Sequence, residues 1–234
     1  MSGSTRTVND LRAFLQTRKG FNSQQTTEFF DTWAETYDQD MKMLNYREPN
    51  LLVNLLDANF SGNRSEARVL DVACGSGLVA KLMFELGFRH FVGVDSSKRM
   101  LEQAAKTGLY EELKEALLGT EALPAETGAF DVVIIVGALR ECSVPVSVIR
   151  ELCQAAKPGG YVCMTRIEPK SEAGNKYKMS LEKEHQLMVT EKLWTCVDAK
   201  EIDKYVIDAY TENKNEQNKQ YLGGSMYIYR KSIN

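Results

Sequence analysis

Histidine is almost missing from this chain. Only His90 and His185 are present, so an imidazole metal cluster or a histidine-based catalytic triad has almost nothing to draw on. Both are read as surface or structural residues, and no metal is predicted. An excess of basic charge is also lacking: the net charge is -3 and the pI about 5.6. The chain therefore exerts no global attraction on a phosphate backbone, and nucleic acid is not an expected partner. No window of about twenty apolar residues occurs, and the start, MSGSTRTVND, has no apolar core behind a basic end. Neither a membrane span nor a signal peptide is predicted; the expected location is cytoplasmic, with the nucleus open by size. The five cysteines, Cys74, Cys142, Cys153, Cys163 and Cys196, are odd in number and contain no C-x-x-C pair. Most lie in apolar segments, as reduced thiols acting as small hydrophobes would. Internal repeats and low-complexity linkers are likewise absent.

What is present is ordinary globular material, 43% hydrophobic and 26% charged over 234 residues, enough for one substantial core. The expectation is a single domain and a monomer. Helical spacing in Val8, Leu11, Leu15 and again in Phe29, Phe30, Trp33, Tyr37 predicts an N-terminal helical cap over 1–64, with Pro49 in the first turn of its last helix. From Ala67 the pattern changes. Apolar strands at Arg68 to Ala73, Phe91 to Asp95, Ala116 to Leu118, Asp131 to Val136 and Tyr161 to Arg166 alternate with amphipathic helices. That rhythm predicts βαβ units and a parallel sheet over 65–168. Residues 169–234 should complete the sheet, with a charged helix over Lys176 to Thr190, one or two strand pieces over Leu193 to Val206, and a last strand over Met226 to Tyr229. Thr211 to Gln220 reads as a solvated loop or hairpin turn.

The most informative segment is Val69-Leu70-Asp71-Val72-Ala73-Cys74-Gly75-Ser76-Gly77-Leu78, an apolar strand carrying an acid and running through two glycines into a helix. Gly75 and Gly77 allow a sharp turn and close approach to a ligand at the carboxyl end of the strand. A pyrophosphate would be repelled by Asp71, whereas a ligand carrying positive charge would be favoured there. S-adenosylmethionine, with its ammonium and sulfonium, has that charge. Some twenty residues on, Phe91-Val92-Gly93-Val94-Asp95-Ser96-Ser97 ends a strand in a second acid, suited to accept hydrogen bonds from ribose hydroxyls, with Ser96 beside it. Met100, on the following helix, is placed to cover an adenine face with a polarisable side chain; it would serve equally as ordinary helix core. A nicotinamide cofactor is disfavoured by Asp71 and by the missing third glycine of G-x-G-x-x-G.

These segments together resemble the class I S-adenosylmethionine-dependent methyltransferases. Leu70 to Gly77 matches their first motif, Val92 to Asp95 their second, Phe130 to Val136 the strand before their substrate face, and Ala156-Lys157-Pro158-Gly159-Gly160-Tyr161 their Lys-Pro-Gly-Gly turn. A closer likeness within that family extends to Phe29 through Asp40 and Ile135 through Leu139. The resemblance implies an α/β, Rossmann-like fold: a mostly parallel seven-stranded sheet with helices on both faces and the N-terminal cap folded over the cofactor. It also implies S-adenosylmethionine as methyl donor and S-adenosylhomocysteine as product. Two departures stand out. Ala73 replaces a common glycine, and Gly119 stands where many relatives carry an acid for the adenine amino group, so adenine recognition falls to the Thr120 backbone or Glu121. Val136, at the tip of its strand, is expected against the cofactor.

Methyl transfer is an in-line displacement at an already activated carbon, so alignment can supply much of the acceleration and no triad is required. On the cap, Arg47 could pair with the cofactor carboxylate and Tyr37 could line the transfer site, although an aromatic stripe is also plain packing. Past the fourth strand, Glu141 could act as base toward the acceptor, or simply be solvated. No Asn-Pro-Pro-Tyr-like sequence follows that strand, which tilts the unidentified acceptor toward a small molecule. The alternative on the same residues is a cofactor-binding regulatory or scaffold protein without turnover.

Overall fold

The computed structural model describes residues 6–208 and 220–233. Its elements run α1 (Val8–Gln16), α2 (Ser23–Trp33), α3 (Tyr37–Met43), α4 (Glu48–Asn59), β1 (Arg68–Val72), α5 (Leu78–Glu85), β2 (His90–Asp95), α6 (Lys98–Ala105), β3 (Tyr110–Glu115), β4 (Phe130–Ile135), α7 (Val148–Ala155), β5 (Ala156–Ile167), α8 (Glu172–Thr190), β6 (Trp194–Ile207) and β7 (Tyr221–Lys231). They form one seven-stranded sheet in the order β3-β2-β1-β4-β5-β7-β6. The first five strands pair in parallel, and β7 runs antiparallel between β5 and β6. The strand order reverses between β1 and β4, which opens a crevice at their carboxyl ends, where open α/β sheets bind ligands.

The central strands are apolar on both sides because both sides are covered. Alternate residues of β1 and β4 divide between two clusters. Val69, Val132 and Ile134 pack with Leu52, Leu56, Val79 and Met83 of α4 and α5. Leu70, Val72, Val133 and Ile135 pack with Val148, Ile149 and Leu152 of α7 and with Leu181 and Met188 of α8. The cap builds a third cluster, in which Leu11, Leu15, Phe29, Trp33 and Leu44 rest on Val206 and Leu222 of the distal strands. Its aromatic mesh includes Phe14 stacked on Phe29 at 4.5 Å and Trp33 edge-on to Tyr37 at 4.8 Å. Among the described residues no helix is long and apolar enough to cross a membrane.

Several boundaries differ from the sequence reading. The third strand is Tyr110–Glu115, not Ala116 to Leu118. Its sequence, YEELKE, has no apolar run because it is an edge strand with one exposed side, where charge also discourages pairing with another chain. α8 begins at Glu172, where Ser171 caps it by accepting from the Gly174 N–H. β6 is a single strand, and β7 extends well beyond Met226 to Tyr229. The turn expected over Thr211 to Gln220 lies, apart from Gln220, outside the described residues.

His185 of α8 is buried edge-on to Trp194, Tyr227 and Tyr229, at 5.7, 5.1 and 5.2 Å between ring centres. Burial, helped by nearby Arg166, holds its pKa down at about 4. The unfolded chain therefore binds this proton first as pH falls. The corresponding stability is complete above about pH 6.5 and is lost as pH drops toward 4. Relative to a His185→Phe variant, the protein is expected to lose about 3 kcal/mol between pH 7 and pH 4 in denaturant unfolding. A pH-independent difference would contradict this account.

Candidate functional site

β1 delivers the chain into a left-handed loop. Ala73, Gly75 and Gly77 have φ of +54°, +54° and +85°, and Gly77 starts α5. Ala73 bears the cost of roughly 1–2 kcal/mol that a Cβ incurs there. A Cβ at Gly77 would press on the Tyr110 ring at 3.1 Å, whereas Gly75 faces open space. Asp95, at the tip of β2, ties this loop down: Oδ2 accepts from the Gly75 N–H at 2.8 Å and Oδ1 from the Ser97 N–H at 2.8 Å. Burial raises its pKa against those backbone donors. The Ser96 backbone is a third donor to this carboxylate, and Asp95 lines a cavity at the crevice.

That cavity holds about 170 Å³ of internal space. It has two ends. The sheet end is walled by Ala73, Gly75, Asp95, Ser96, Met100 and Ala116 to Leu118; the cap end by Trp33, Tyr37, Tyr46, Glu48, Gly137 and Arg140, with Val136 also on the wall. Met100 is buried and reaches this wall from α6. Among the described residues, three buried polar atoms on the lining have no hydrogen-bond partner: Thr26 Oγ1, Glu48 Oε1 and Arg140 Nε. Such atoms are unfavourable unless something in the cavity satisfies them. An acid at a strand tip, a half-buried left-handed glycine with open space beside it, apolar lining and polar atoms without partners among the described residues fit a nucleoside ligand with a polar tail.

Asp71 lies one layer behind. It is buried and off the cavity wall; Oδ2 accepts from Tyr110 Oη at 2.7 Å and Oδ1 has no partner among the described residues. Burial pushes its pKa up to about 7, opposed by Tyr110 and reinforced by Asp95. Its field, rather than a contact, reaches the loop.

Other expected residues are not brought to the cavity. Arg47 is exposed, with Nη1 donating to the Lys204 carbonyl at 3.5 Å, because it precedes α4 on the outer side. Glu141 points away and accepts from Ser171 Oγ at 2.8 Å. Glu121 turns back to its own loop, accepting from the Leu117 N–H at 2.8 Å, and Thr120 is exposed; Leu117 and Leu118 supply that wall instead. Gly119 has a local cause: a Cβ there would overlap the Pro145 ring at 2.1 Å, leaving no room for the acid many relatives carry. Tyr37 does line the cavity, its pKa raised by burial and then by Glu48.

The sequence reading missed Thr26 and Glu48. Glu48 opens α4 one residue before Pro49, where an acid is ordinarily a solvated partner of the helix dipole. Only tertiary burial distinguishes it.

The cap is pinned to the loops by polar contacts. Thr27 donates to Ser96 at 2.8 Å, Asp31 accepts from Ser97 Oγ at 2.7 Å and from the Arg99 N–H at 3.1 Å, and Asp38 accepts from Ser76 and from Lys81 at 3.0 Å. An Asp31→Ala/Asp38→Ala variant is expected to show faster amide exchange in α2 and α3 with β4 unchanged. Its affinity for S-adenosylhomocysteine should fall by roughly tenfold, the size of one such charge-assisted bond. Unchanged exchange in the cap would refute the pinning.

Comparison with known proteins places this geometry. A family of methyltransferase domains matches residues 63–221. The chain is 41% identical over 196 residues to Methyltransferase-like protein 27 of Homo sapiens, the Williams-Beuren region protein, covering 83% of this chain and 79% of that one. It is 32% identical over 158 residues to the demethylmenaquinone methyltransferase of Lactococcus lactis, covering 63% and 61%. In fold, it is similar to an S-adenosylmethionine-dependent methyltransferase of Thiobacillus denitrificans solved with S-adenosylhomocysteine, at a TM-score of 0.52 and 19% identity over 79% of this chain and 93% of the other.

Proposed function

The chain belongs to the methyltransferase domain family, as an S-adenosylmethionine-dependent enzyme, and on that premise we propose that it methylates a small, largely apolar molecule held under the N-terminal cap. The observation that carries this reading is a single cavity lined both by Asp95 and Met100 beside the strand tips and by Trp33, Tyr37 and Tyr46 of the cap. S-adenosylmethionine supplies a methyl carbon activated by its sulfonium, which leaves the protein chiefly the work of alignment and water exclusion.

The sheet end is the natural seat for the donor. The Asp95 carboxylate is the acceptor for hydroxyl donors, Met100, Leu117 and Leu118 give the same cavity apolar lining suited to a flat base, and Thr26 Oγ1 and the Ala73 to Gly75 backbone offer polar contacts to the tail. Asp71 opposes any anion at the loop and favours a cation when ionised. The cap end, aromatic and enclosed, suits an apolar acceptor better than the flank of a folded protein or a nucleic acid backbone. The relative named for demethylmenaquinone points the same way.

Asp95→Asn turns an amide N–H toward the Gly75 or Ser97 N–H, so it both removes acceptors and unsettles the loop. Calorimetry is expected to show saturable binding of S-adenosylmethionine and S-adenosylhomocysteine that the variant weakens by roughly ten- to a hundredfold. Radiolabelled methyl groups offered with a small-molecule extract, a protein extract and RNA should enter the small-molecule fraction. Label confined to protein or RNA would sink the acceptor reading, and binding without transfer would favour a cofactor-binding protein lacking turnover.

A further inference from the structure

Glu48 is 2% exposed, yet it lines the cavity, and its buried Oε1 has no hydrogen-bond partner among the described residues. Burial raises its pKa, while the hydroxyls of Tyr205, Thr165 and Tyr46 and the charge of Arg140 oppose that rise. Tyr37, Tyr46 and Tyr205 have raised pKa values of their own, burial being the first cause in each, so they stay neutral around it. Arg140 lines the same cavity. The Glu48 carboxylate thus keeps one oxygen, and the Arg140 guanidinium its Nε, without a hydrogen-bond partner among the described residues, in surroundings where a buried polar atom gains from acquiring one.

The acceptor's chemistry follows from satisfying both. An ammonium would suit Glu48 and be repelled by Arg140; a carboxylate would suit Arg140 and be repelled by Glu48. A hydroxyl does both through one oxygen, donating to Glu48 and accepting from Arg140. Resting on the reading of the cap end as the acceptor site, we propose that Glu48 takes the proton of the acceptor and that the acceptor presents a weakly acidic hydroxyl, of phenol or enol type, between Glu48 and Arg140. In that step the acceptor O–H bond breaks and its proton bonds to Glu48 Oε1. The electron pair stays on the acceptor oxygen, whose negative charge faces Arg140.

The test uses 4-nitrophenol, whose phenolate absorbs to the red of the neutral phenol, titrated into full-length protein loaded with S-adenosylhomocysteine at a pH where the free phenol is mostly neutral. Wild-type protein is expected to bind it with the phenolate spectrum. Glu48→Gln should bind it as neutral phenol, Glu48→Asp should restore part of the shift, and Arg140→Met should weaken binding by roughly tenfold or more. Thermal unfolding and S-adenosylhomocysteine calorimetry on the same samples report folding and the donor site. No binding of the phenol, a neutral spectrum in wild type, or an unchanged spectrum in a folded Glu48→Gln variant overturns the proposal. Failure of well-folded wild type to bind S-adenosylhomocysteine overturns the parent reading instead.

Discussion

The carboxylate of Asp95 is the knot from which the site is built. One side chain accepts from the Gly75 N–H and from the Ser97 N–H, joining the loop after β1 to the start of α6. Hydrogen bonds to a charged acceptor contribute about 1.5–3 kcal/mol each, enough together to hold a loop whose φ angles at Ala73, Gly75 and Gly77 are left-handed. Ser97 extends the knot. Its hydroxyl accepts from the Met100 N–H as helix cap and donates to Asp31 of the cap, so donor loop, Met100 and lid are fixed by one chain of bonds.

Around that knot the acids form a graded set. Asp95 is paired with backbone donors, Asp71 is half paired with Tyr110, and Glu48 has one buried oxygen without a partner among the described residues. All three have raised pKa values, with burial the leading cause. In a folded protein such acids reduce stability as pH rises through their pKa values, because the unfolded chain releases those protons earlier. Their retention at one crevice is the arrangement expected where charge has been kept for binding and proton handling rather than for folding.

The parts of this molecule with strong periodicity were legible in its sequence. β1, β2 and β4 are buried on both faces and read as apolar runs, and Asp71 and Asp95 announce themselves by sitting at successive strand ends before glycine or serine. β3 was displaced by several residues, since an exposed edge strand of glutamates and a lysine carries no such signal. Arg47, Glu121 and Glu141 fall near the site in sequence and miss it in space, each turned to a local carbonyl, amide or hydroxyl. Glu48 and Thr26 were invisible for the opposite reason: their residue types are ordinary at helix starts and faces, and only the cap folding over β6 and β7 buries them.

The division between the two ends of the cavity also says where specificity can vary. The sheet end rests on strand tips whose register is locked by parallel pairing, β1 against β2 and β4, so its geometry is shared wherever the fold recurs. The cap end is assembled from α2, α3, the start of α4 and the loop after β4, held by side-chain contacts and aromatic packing. Changes there alter the chamber without disturbing the sheet, which is why fold alone does not name an acceptor and the search for one turns to the residues that line the cap end.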